Sequence, residues 1–501
     1  MSLHSFDLAV IGGGPAGIAA ALQAASAGIK VALIDDGDLL GGHFYKLPPT
    51  TINFRLSSLQ KKKQAEIDML IAALERTQIE LFQGVQVWGI FNHEGKTING
   101  MVSENETFRI AIHPAVNPWG VIEARSIILA PGVYDRPIPF PGWELPGVVT
   151  PGAVQVQLEK QALLPGKKVL VAGSGPLQLI VAAELLGFGV DVVAVLDTSS
   201  FFEGWQTILG VLGGLISRLS EGMQAGLTLM RHRVPILFRH AVFRAIGDLQ
   251  NGVQGVVYGK IDANGKPLEH TTQQTEVDTI CCAYGFSPAI ALSLHIGCKH
   301  EFDHQLGTWK PYYDGRLQTS VNGVYVAGDV TMVGGKPLAN LQGKWAAISV
   351  LEDLGVWSTE HGTGERAKLQ PAINREEKFA RWLWTRYRVL PGLFEIADED
   401  TLICRCEGVR KADIQSGLED DAMDLFGIKL RTRLGMGQCQ GRYCFSNAAM
   451  MIALSCGKNP SNLEVPTIRP PIVPMRLQHL AAYRDLHLEP EEASCTPSVY
   501  S

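Results

Sequence analysis

The chain has 501 residues, 46% of them hydrophobic and 19% charged, which is enough for about three folded domains and excludes an intrinsically disordered protein. Its 44 Lys and Arg residues are outnumbered by 50 Asp and Glu residues, and the net charge of −6 argues against a nucleic-acid-binding surface. No apolar run is long enough to cross a bilayer, and the N-terminus lacks the pattern of a secretory signal. We therefore expect a cytoplasmic protein with no membrane span and no nucleic-acid partner.

The first predicted unit is a strand, a glycine loop and a helix over residues 7–22. Gly12, Gly14 and Gly17 have the G-x-G-x-x-G spacing of a dinucleotide-binding loop. Gly12 would permit the tight turn, Gly14 would let a pyrophosphate approach the backbone, and Gly17 would let the helix pack close to the strand. The predicted cofactor-binding residues of this loop are Gly12, Gly14, Pro15, Ala16 and Gly17.

The second predicted strand, residues 30–34, leads into Asp35. Its carboxylate follows the loop by about 20 residues, the spacing at which an acidic side chain accepts hydrogen bonds from a ribose diol. Gly42 and His43 follow in a glycine-rich segment, and no chemical role is assigned to His43.

A proline-rich segment, residues 135–147, separates the first unit from a second strand, loop and helix that begins at residue 168. This loop keeps Gly173 and Gly175, but Gln178 stands at the third glycine position, where a long side chain argues against ordinary NAD(P)H binding. Asp197 ends the following strand and could still hold a ribose. A working nicotinamide site and a scaffold that no longer binds NAD(P)H are about equally supported, and we favour the second.

Residues 319–330 form a predicted apolar strand that ends in Gly328 and Asp329. This segment resembles the second FAD fingerprint of flavoproteins with two dinucleotide-binding domains, in which the aspartate binds the ribityl chain. Residues 127–137 fit the crossover strand of the same flavoproteins. The two fingerprints together favour FAD over NAD in the first domain.

Four of the nine cysteines, Cys404, Cys406, Cys439 and Cys444, fall within 41 residues of one another. Four thiolates can bind one zinc ion or a [2Fe-2S] cluster with two thiolates on each iron. Zinc sites usually use C-x2-C pairs, whereas the pairs here are C-x-C and C-x4-C. The spacing therefore favours the cluster, and the scattered remaining cysteines are interpreted as packing residues.

The C-x-C and G-x-C-Q-G-R-x-C pattern is similar to the [2Fe-2S] domain of bacterioferritin-associated-ferredoxin type. Its position behind two Rossmann units resembles the A or alpha subunits of opine oxidases and dye-linked proline dehydrogenases and the B subunit of hydrogen cyanide synthase. The resemblance implies an electron-transfer subunit of an amine or opine dehydrogenase, paired with a smaller FAD subunit of D-amino-acid-oxidase type. It also admits an FMN at the subunit junction and an external electron acceptor. The same resemblance implies that Gly42 and His43 lie where these proteins bind their flavin.

The expected fold class is α/β, with two Rossmann-like domains and a small helical cysteine domain. The predicted division is a discontinuous FAD-binding domain (1–145 and 289–358), an inserted NAD(P)-like domain (146–288), a linker (359–400), the [2Fe-2S] domain (401–457) and an extended tail (458–501). Two alternatives remain open: a self-contained NAD(P)H-dependent reductase, and a non-enzymatic iron-sulfur binding protein on an inactive flavoprotein scaffold.

Overall fold

The computed structural model describes residues 4–46, 58–100, 106–113, 120–200, 212–419, 424–478 and 480–481. The strands of this part of the chain are β1 His4–Ile11, β2 Val31–Asp35, β3 Ile79–Gln83, β4 Gln86–Asn92, β5 Phe108–His113, β6 Val121–Leu129, β7 Val133–Asp135, β8 Val148–Val149, β9 Lys168–Ser174, β10 Asp191–Asp197, β11 Ile236–Phe238, β12 His240–Asp248, β13 Gly252–Lys260, β14 Gln273–Thr275, β15 Thr279–Tyr284, β16 Phe286–Pro288, β17 His300–Asp303, β18 Thr308–Pro311, β19 Val324–Val326, β20 Leu402–Cys404 and β21 Val409–Arg410.

The α-helices of the same residues are α1 Pro15–Ala25, α2 Ser58–Glu75, α3 Pro151–Gln155, α4 Leu177–Gly187, α5 Leu212–Arg231, α6 Ala291–His295, α7 Gly335–Asp353, α8 Thr359–Arg386, α9 Lys411–Glu419, α10 Leu425–Thr432 and α11 Cys444–Cys456. One turn of π-helix, Val156–Lys160, continues α3. None of the helices described here is long and apolar enough to span a bilayer.

The first sheet has seven strands, with β3, β2, β1, β6, β5 and β4 in that order and β19 beside the end of β6. The pairs β3–β2, β2–β1, β1–β6 and β6–β19 are parallel, so their carboxyl ends meet at one edge of the sheet. The strands β1, β2 and β6 are nearly continuous runs of buried apolar residues, as expected where helices cover a parallel sheet. This edge is where a Rossmann fold binds its ligand.

The second sheet has five parallel strands in the order β11, β10, β9, β15 and β8, and lies between β6 and β19 in the sequence. An antiparallel sheet of β12, β13 and β14 packs near it. The chain leaves and re-enters the first unit through β7 and β16, which pair with each other, so both crossings lie side by side.

The segment predicted as a linker, residues 359–400, contains the 28-residue helix α8. Its buried positions Ile373, Phe379, Ala380 and Trp384 explain why it folds as a helix despite Pro371 inside it. The cysteine region follows as a small β-hairpin and α9 to α11. The tail then runs back to the first sheet, where the Ile472 N–H donates to the Trp88 carbonyl at 2.9 Å.

Candidate functional site

The first glycine loop connects β1 to α1. Gly12 has φ of +112°, and a Cβ there would overlap the Ala130 carbonyl, while a Cβ on Gly17 would overlap the Gly12 carbonyl. Both positions therefore require glycine for packing. Gly14 differs, because a Cβ there would approach only the Gly42 Cα, at 4.0 Å. Gly14 thus leaves open space in front of the N-terminus of α1.

Two carboxylates fix the loops at the edge of the first sheet. Asp35, at the end of β2, accepts the Gly13 N–H at 2.5 Å and the Gly37 N–H at 2.8 Å. Burial raises the pKa of Asp35, and these two hydrogen bonds oppose the rise. Asp329 follows β19 and accepts the N–H groups of Gly334 and Gly335, each at 3.1 Å, so it holds the start of α7.

Gly328 and α7 complete this edge. Gly328 has φ of +82°, and its N–H donates to the buried Gln342 side chain at 3.0 Å. Gly343 lies so close to Ala16 that any side chain would overlap the Ala16 carbonyl. The two sequence fingerprints therefore come together, because α1 and α7 pack directly on each other.

The predicted residue Gly42 lies against the first loop, and the predicted residue His43 follows it in the chain. A Cβ on Gly42 would lie 3.1 Å from the Gly14 Cα. Burial lowers the pKa of His43 to about 4, and the charges of Lys46 and Lys160 act in the same direction. His43 is therefore neutral at pH 7.

A buried ion cluster lies beside this loop, and sequence reasoning missed it. We define it as Lys46 and Glu159, which are buried, together with Asp135 and Glu184, which are half-buried. Lys46 is 2% exposed and donates to the Gly152 carbonyl at 3.4 Å; burial lowers its pKa to about 8. Asp135 accepts the Gly152 N–H at 2.7 Å.

The two glutamates of the buried ion cluster come from the second unit. Glu159, in the π-helical turn, is 5% exposed and lies 3.8 Å from the Lys63 ammonium. Glu184, on α4, accepts the Gln155 amide at 3.3 Å. Burial, and then the charge of Glu159, raise the pKa of Glu184 to about 7. No motif in the sequence could have indicated this cluster, because its members lie on four separate segments of the chain.

The second glycine loop is built differently from the first. Gly173 has φ of +148°, and a Cβ there would overlap the Ala283 carbonyl. Gly175 has open space around it. Gln178 is 3% exposed, and its amide faces the Asp197 carboxylate without forming a well-directed hydrogen bond. The substituted position is thus filled by a buried polar side chain.

The end of α8 covers this second loop. The Ser174 hydroxyl donates to the Tyr387 carbonyl at 3.3 Å, and the charge of Arg386 acts on Asp197. Asp197 is only 1% exposed and accepts the Ser199 N–H at 2.7 Å. Burial raises the pKa of Asp197. The Asp197 carboxylate, which we predicted to hold a ribose, is therefore enclosed by the end of α8.

The four predicted cysteines come together as two pairs. The Sγ atoms of Cys406 and Cys439 are 3.8 Å apart, with Cys406 exposed and Cys439 half-buried. Cys404 and Cys444 are each 2% exposed, and a hydrogen bond from the Cys444 thiol lowers the pKa of Cys404 to about 5. Among the described residues, no three His, Cys, Asp or Glu side chains surround a single point as ligands of one metal ion would.

The cysteine region packs directly on the proline-rich segment, residues 135–147. Trp143 donates its indole N–H to the Leu402 carbonyl at 2.6 Å, and the Arg405 guanidinium lies 4.4 Å from the Trp143 ring. Asn447, three residues after Cys444, donates to the Pro137 carbonyl at 3.0 Å. The cysteine pairs are thus held against the segment that joins the two dinucleotide units.

Two tyrosines and one buried arginine occupy the same junction. Tyr134 and Tyr443 have ring centroids 6.4 Å apart, and the Arg442 guanidinium lies 4.3 Å from the Tyr134 ring. Arg136 is 2% exposed; it donates to the Leu306 carbonyl, but its Nε and Nη2 atoms have no hydrogen-bond partner. Burial lowers the pKa of Arg136 to about 9. Sequence reasoning did not identify Arg136, and its position in the proline-rich segment gave no signal.

Comparison with known proteins gives two family matches. Residues 6–350 match the pyridine nucleotide-disulphide oxidoreductase family, and residues 399–484 match the sarcosine oxidase A3 domain. The second match includes all four cysteines and extends past residue 457 into the predicted tail.

Individual relatives span nearly the whole chain. The A subunit of opine oxidase from Rhizobium meliloti is 28% identical over 95% of this chain and 87% of its own length. Hydrogen cyanide synthase subunit HcnB of Pseudomonas protegens is 29% identical over 93% of this chain and 95% of its own length. The crystal structure of L-proline dehydrogenase from P. horikoshii is 23% identical, with a TM-score of 0.64 over 96% of this chain and 80% of that chain. This last likeness establishes the fold.

Proposed function

Because the chain belongs to the pyridine nucleotide-disulphide oxidoreductase family, we propose that it is the electron-transfer subunit of a heteromeric, flavin-dependent dehydrogenase. The substrate would be an opine-like amine or an imino acid, oxidised at a C–N bond. The similarity to the A subunit of opine oxidase over 95% of the chain supports this role. A smaller FAD-containing subunit of D-amino-acid-oxidase type would bind the amine, with an FMN admitted at the junction of the two subunits.

The first unit has the features needed to hold FAD. The open space at Gly14 would receive a pyrophosphate, and α1 begins there with no side-chain cap and no acidic residue in its first turn. Its free N–H groups and positive dipole end favour an anion. Asp35 and Asp329 would contact the ribose and the ribityl chain. Bound FAD supplies a two-electron acceptor.

The observation that carries the proposal is the arrangement of four thiols in two pairs. Tetrahedral metal–thiolate bonds of about 2.3 Å place two sulfur atoms about 3.8 Å apart. The Cys406 and Cys439 sulfur atoms have this separation. A [2Fe-2S] cluster needs two thiolates on each iron, so Cys406 with Cys439 and Cys404 with Cys444 fit it better than a single ion. Such a cluster supplies one-electron transfer.

The enclosed second loop argues against the alternative of a self-contained NAD(P)H-dependent reductase. A nicotinamide dinucleotide needs access to the acidic residue at the end of the second strand. Asp197 is 1% exposed, and the Tyr387 backbone is hydrogen-bonded to Ser174 across the loop. Electrons would therefore come from a separate flavin-containing partner and not from NADH.

The test is to purify the chain together with its natural partner under anaerobic conditions. We expect flavin absorption, iron and acid-labile sulfide in equal amounts, and a rhombic EPR signal after reduction. Cys439→Ala should abolish the EPR signal and the sulfide. Cys456→Ala is the matched control, because Cys456 belongs to the same region but lies outside the two pairs, and it should retain both.

Two results would contradict the proposal. A colourless preparation that contains zinc and no sulfide would overturn the cluster. Rapid bleaching of the flavin by NADH, with the purified chain alone, would favour the self-contained reductase.

A further inference from the structure

An exposed apolar face on α10 ends beside the cysteine pairs. Phe426 and Leu430 are spaced i and i+4, so they lie on one side of the helix, and Arg433 is the left-handed residue that follows its last turn. Phe426 is 60% exposed and Leu430 is 61% exposed, and Met436, just past the helix, is 39% exposed. We call Phe426, Leu430, Arg433 and Met436 the α10 face.

The α10 face is tied to the exposed cysteine pair by direct contacts. Arg433 forms an ion pair of 2.8 Å with Glu407, the residue after Cys406. The Met436 N–H donates to the Arg433 carbonyl at 3.0 Å, and Gly437 lies so close to Cys406 that a Cβ there would overlap the Cys406 side chain. The α10 face therefore adjoins the pair that reaches solvent, whereas Cys404 and Cys444 are each 2% exposed.

The charge around this end of the face is positive. Arg431 and Arg433 are exposed in and after the last turn of α10, where the helix dipole is negative. Arg405, next to Cys406, is also exposed. The ion pair between Arg433 and Glu407 cancels one charge of each sign, so the excess positive charge comes from Arg405 and Arg431. Asp424 lies at the opposite end of α10, where it caps the Gly427 N–H. A negatively charged partner would therefore be attracted to the cysteine end of the α10 face.

We propose that the α10 face is the docking site of a small acidic one-electron carrier protein. The inference rests on the proposed function and identifies the external electron acceptor by its chemistry. Each docking event would pass one electron to the carrier, so two events would remove the two electrons released when one C–N bond is oxidised, and the protons would go to water.

The composition of the face favours a transient carrier over a permanent subunit. Weak electron-transfer encounters bury less than about 1,200 Å², with an apolar centre and a charged rim, whereas obligate interfaces are much larger and more apolar. The α10 face, with three apolar side chains and cations beside them, has the first composition. A second set of exposed apolar side chains lies on α5, in the second dinucleotide-binding unit, and supplies the control variants. These side chains are Met223, Leu227 and Met230.

The test is a binding titration of the purified complex with an oxidised acidic plant-type ferredoxin, measured calorimetrically at low and high salt. Basic cytochrome c is the probe of opposite charge. We expect ferredoxin to bind at low salt, to dissociate at high salt, and to bind more tightly than cytochrome c. Leu430→Asp and Arg431→Glu should each weaken ferredoxin binding about tenfold. Leu227→Asp and Arg231→Glu on α5 are the matched controls and should leave it unchanged.

The inference fails if ferredoxin does not bind, if the α5 variants weaken binding as much as the α10 variants, or if cytochrome c binds equally well. It also fails if a chain shortened to residue 481 binds ferredoxin much more tightly, because the C-terminal segment would then be the natural occupant of the face. Iron and sulfide are assayed in the same preparation. Their absence would overturn the proposed function, whereas loss of binding with iron and sulfide present would overturn only the docking site.

Discussion

Ser174 and Tyr387 are 213 positions apart, yet the hydroxyl of the first donates to the carbonyl of the second at 3.3 Å. This contact joins the second glycine loop to the end of α8. A Rossmann loop normally leaves this space for a dinucleotide. Here the space in front of Asp197 is occupied by the protein itself.

We expect neither NADH nor NADPH to raise the melting temperature of the purified chain. A ligand at about 100 times its dissociation constant would add about 2.7 kcal/mol of stability, so binding would be easy to detect. The enclosed Asp197, 1% exposed, is the physical reason for expecting none. Differential scanning fluorimetry provides the measurement.

The control for this measurement is FAD added to flavin-free protein, which should raise the melting temperature through the first loop. A clear rise with NADH would mean that the end of α8 moves aside easily, and it would revive the NAD(P)H-dependent alternative.

Two glycines of the first loop should respond differently to the same substitution. Gly17→Ala places a methyl group on the Gly12 carbonyl and should destabilise the protein by about 2 kcal/mol or more through steric overlap. Gly14→Ala meets only the Gly42 Cα, at 4.0 Å, so the fold should survive while the pyrophosphate loses its closest approach. We expect Gly14→Ala to purify with a normal melting temperature after flavin removal and with much less bound FAD. Equal FAD content in Gly14→Ala and the unaltered protein would contradict this role for the loop.

The buried ion cluster makes stability depend on pH through Glu184. Its pKa rises from 4.5 in the unfolded chain to about 7 in the folded protein. The folded state therefore binds more protons between these values, and Glu184 lowers stability as the pH rises from 4.5 to 7. Glu184→Gln should have little effect near pH 4 and should stabilise the protein at pH 8, by at most about 3 kcal/mol. Urea unfolding at the two pH values measures the difference.

Glu269→Gln is the control for this titration, because Glu269 is exposed on a surface turn. Its effect should be the same at both pH values. If Glu184→Gln destabilised the protein at pH 8, the carboxylate would be contributing an ion pair with Lys46 or Lys63 that outweighs its burial.

Arg136 and Arg366 allow a comparison between a buried guanidinium without an ion-pair partner and a half-buried guanidinium with one. Arg366 forms two hydrogen bonds of 2.8 Å with Glu352, and Arg316 contacts the same carboxylate at 3.2 Å, so Arg366→Met should remove only part of its pairing and cost about 2 kcal/mol. Arg136 has two nitrogen atoms without partners. In iron-free protein, Arg136→Met should therefore be neutral or stabilising, by about 1 kcal/mol.

Thermal unfolding of both variants in iron-free protein checks the prediction. A similar loss of stability in Arg136→Met and Arg366→Met would mean that Arg136 acts through packing and its bond to Leu306.

Local spacing was enough to predict the glycine loops, the strand that ends in Asp35 and the convergence of the cysteines. Gly12 and Gly17 illustrate why, because each is required by a backbone contact that belongs to the motif itself. The pairing of Cys406 with Cys439 could be expected only from the way thiolates bind a metal, because 32 residues separate these two cysteines in the sequence.

The missed features depend on contacts between distant elements. Helix α8 contains Pro371 and a charged surface, and its stability comes from packing of Ile373 and Trp384 that no local pattern reveals. The buried ion cluster joins Lys46 to Glu184, which lie in different units. Its members look like ordinary surface charges until the two units are brought together.

The Gln440 side chain, in the loop between Cys439 and Cys444, donates to the Pro471 carbonyl at 2.7 Å, and the next residue, Ile472, is bonded to β4. During translation, this loop therefore lacks its last support until residues 471 and 472 have left the ribosome. Formation of the Cys439–Cys444 loop is thereby linked to synthesis of a segment about 30 residues further along, and products terminated before that segment would leave the loop unsupported.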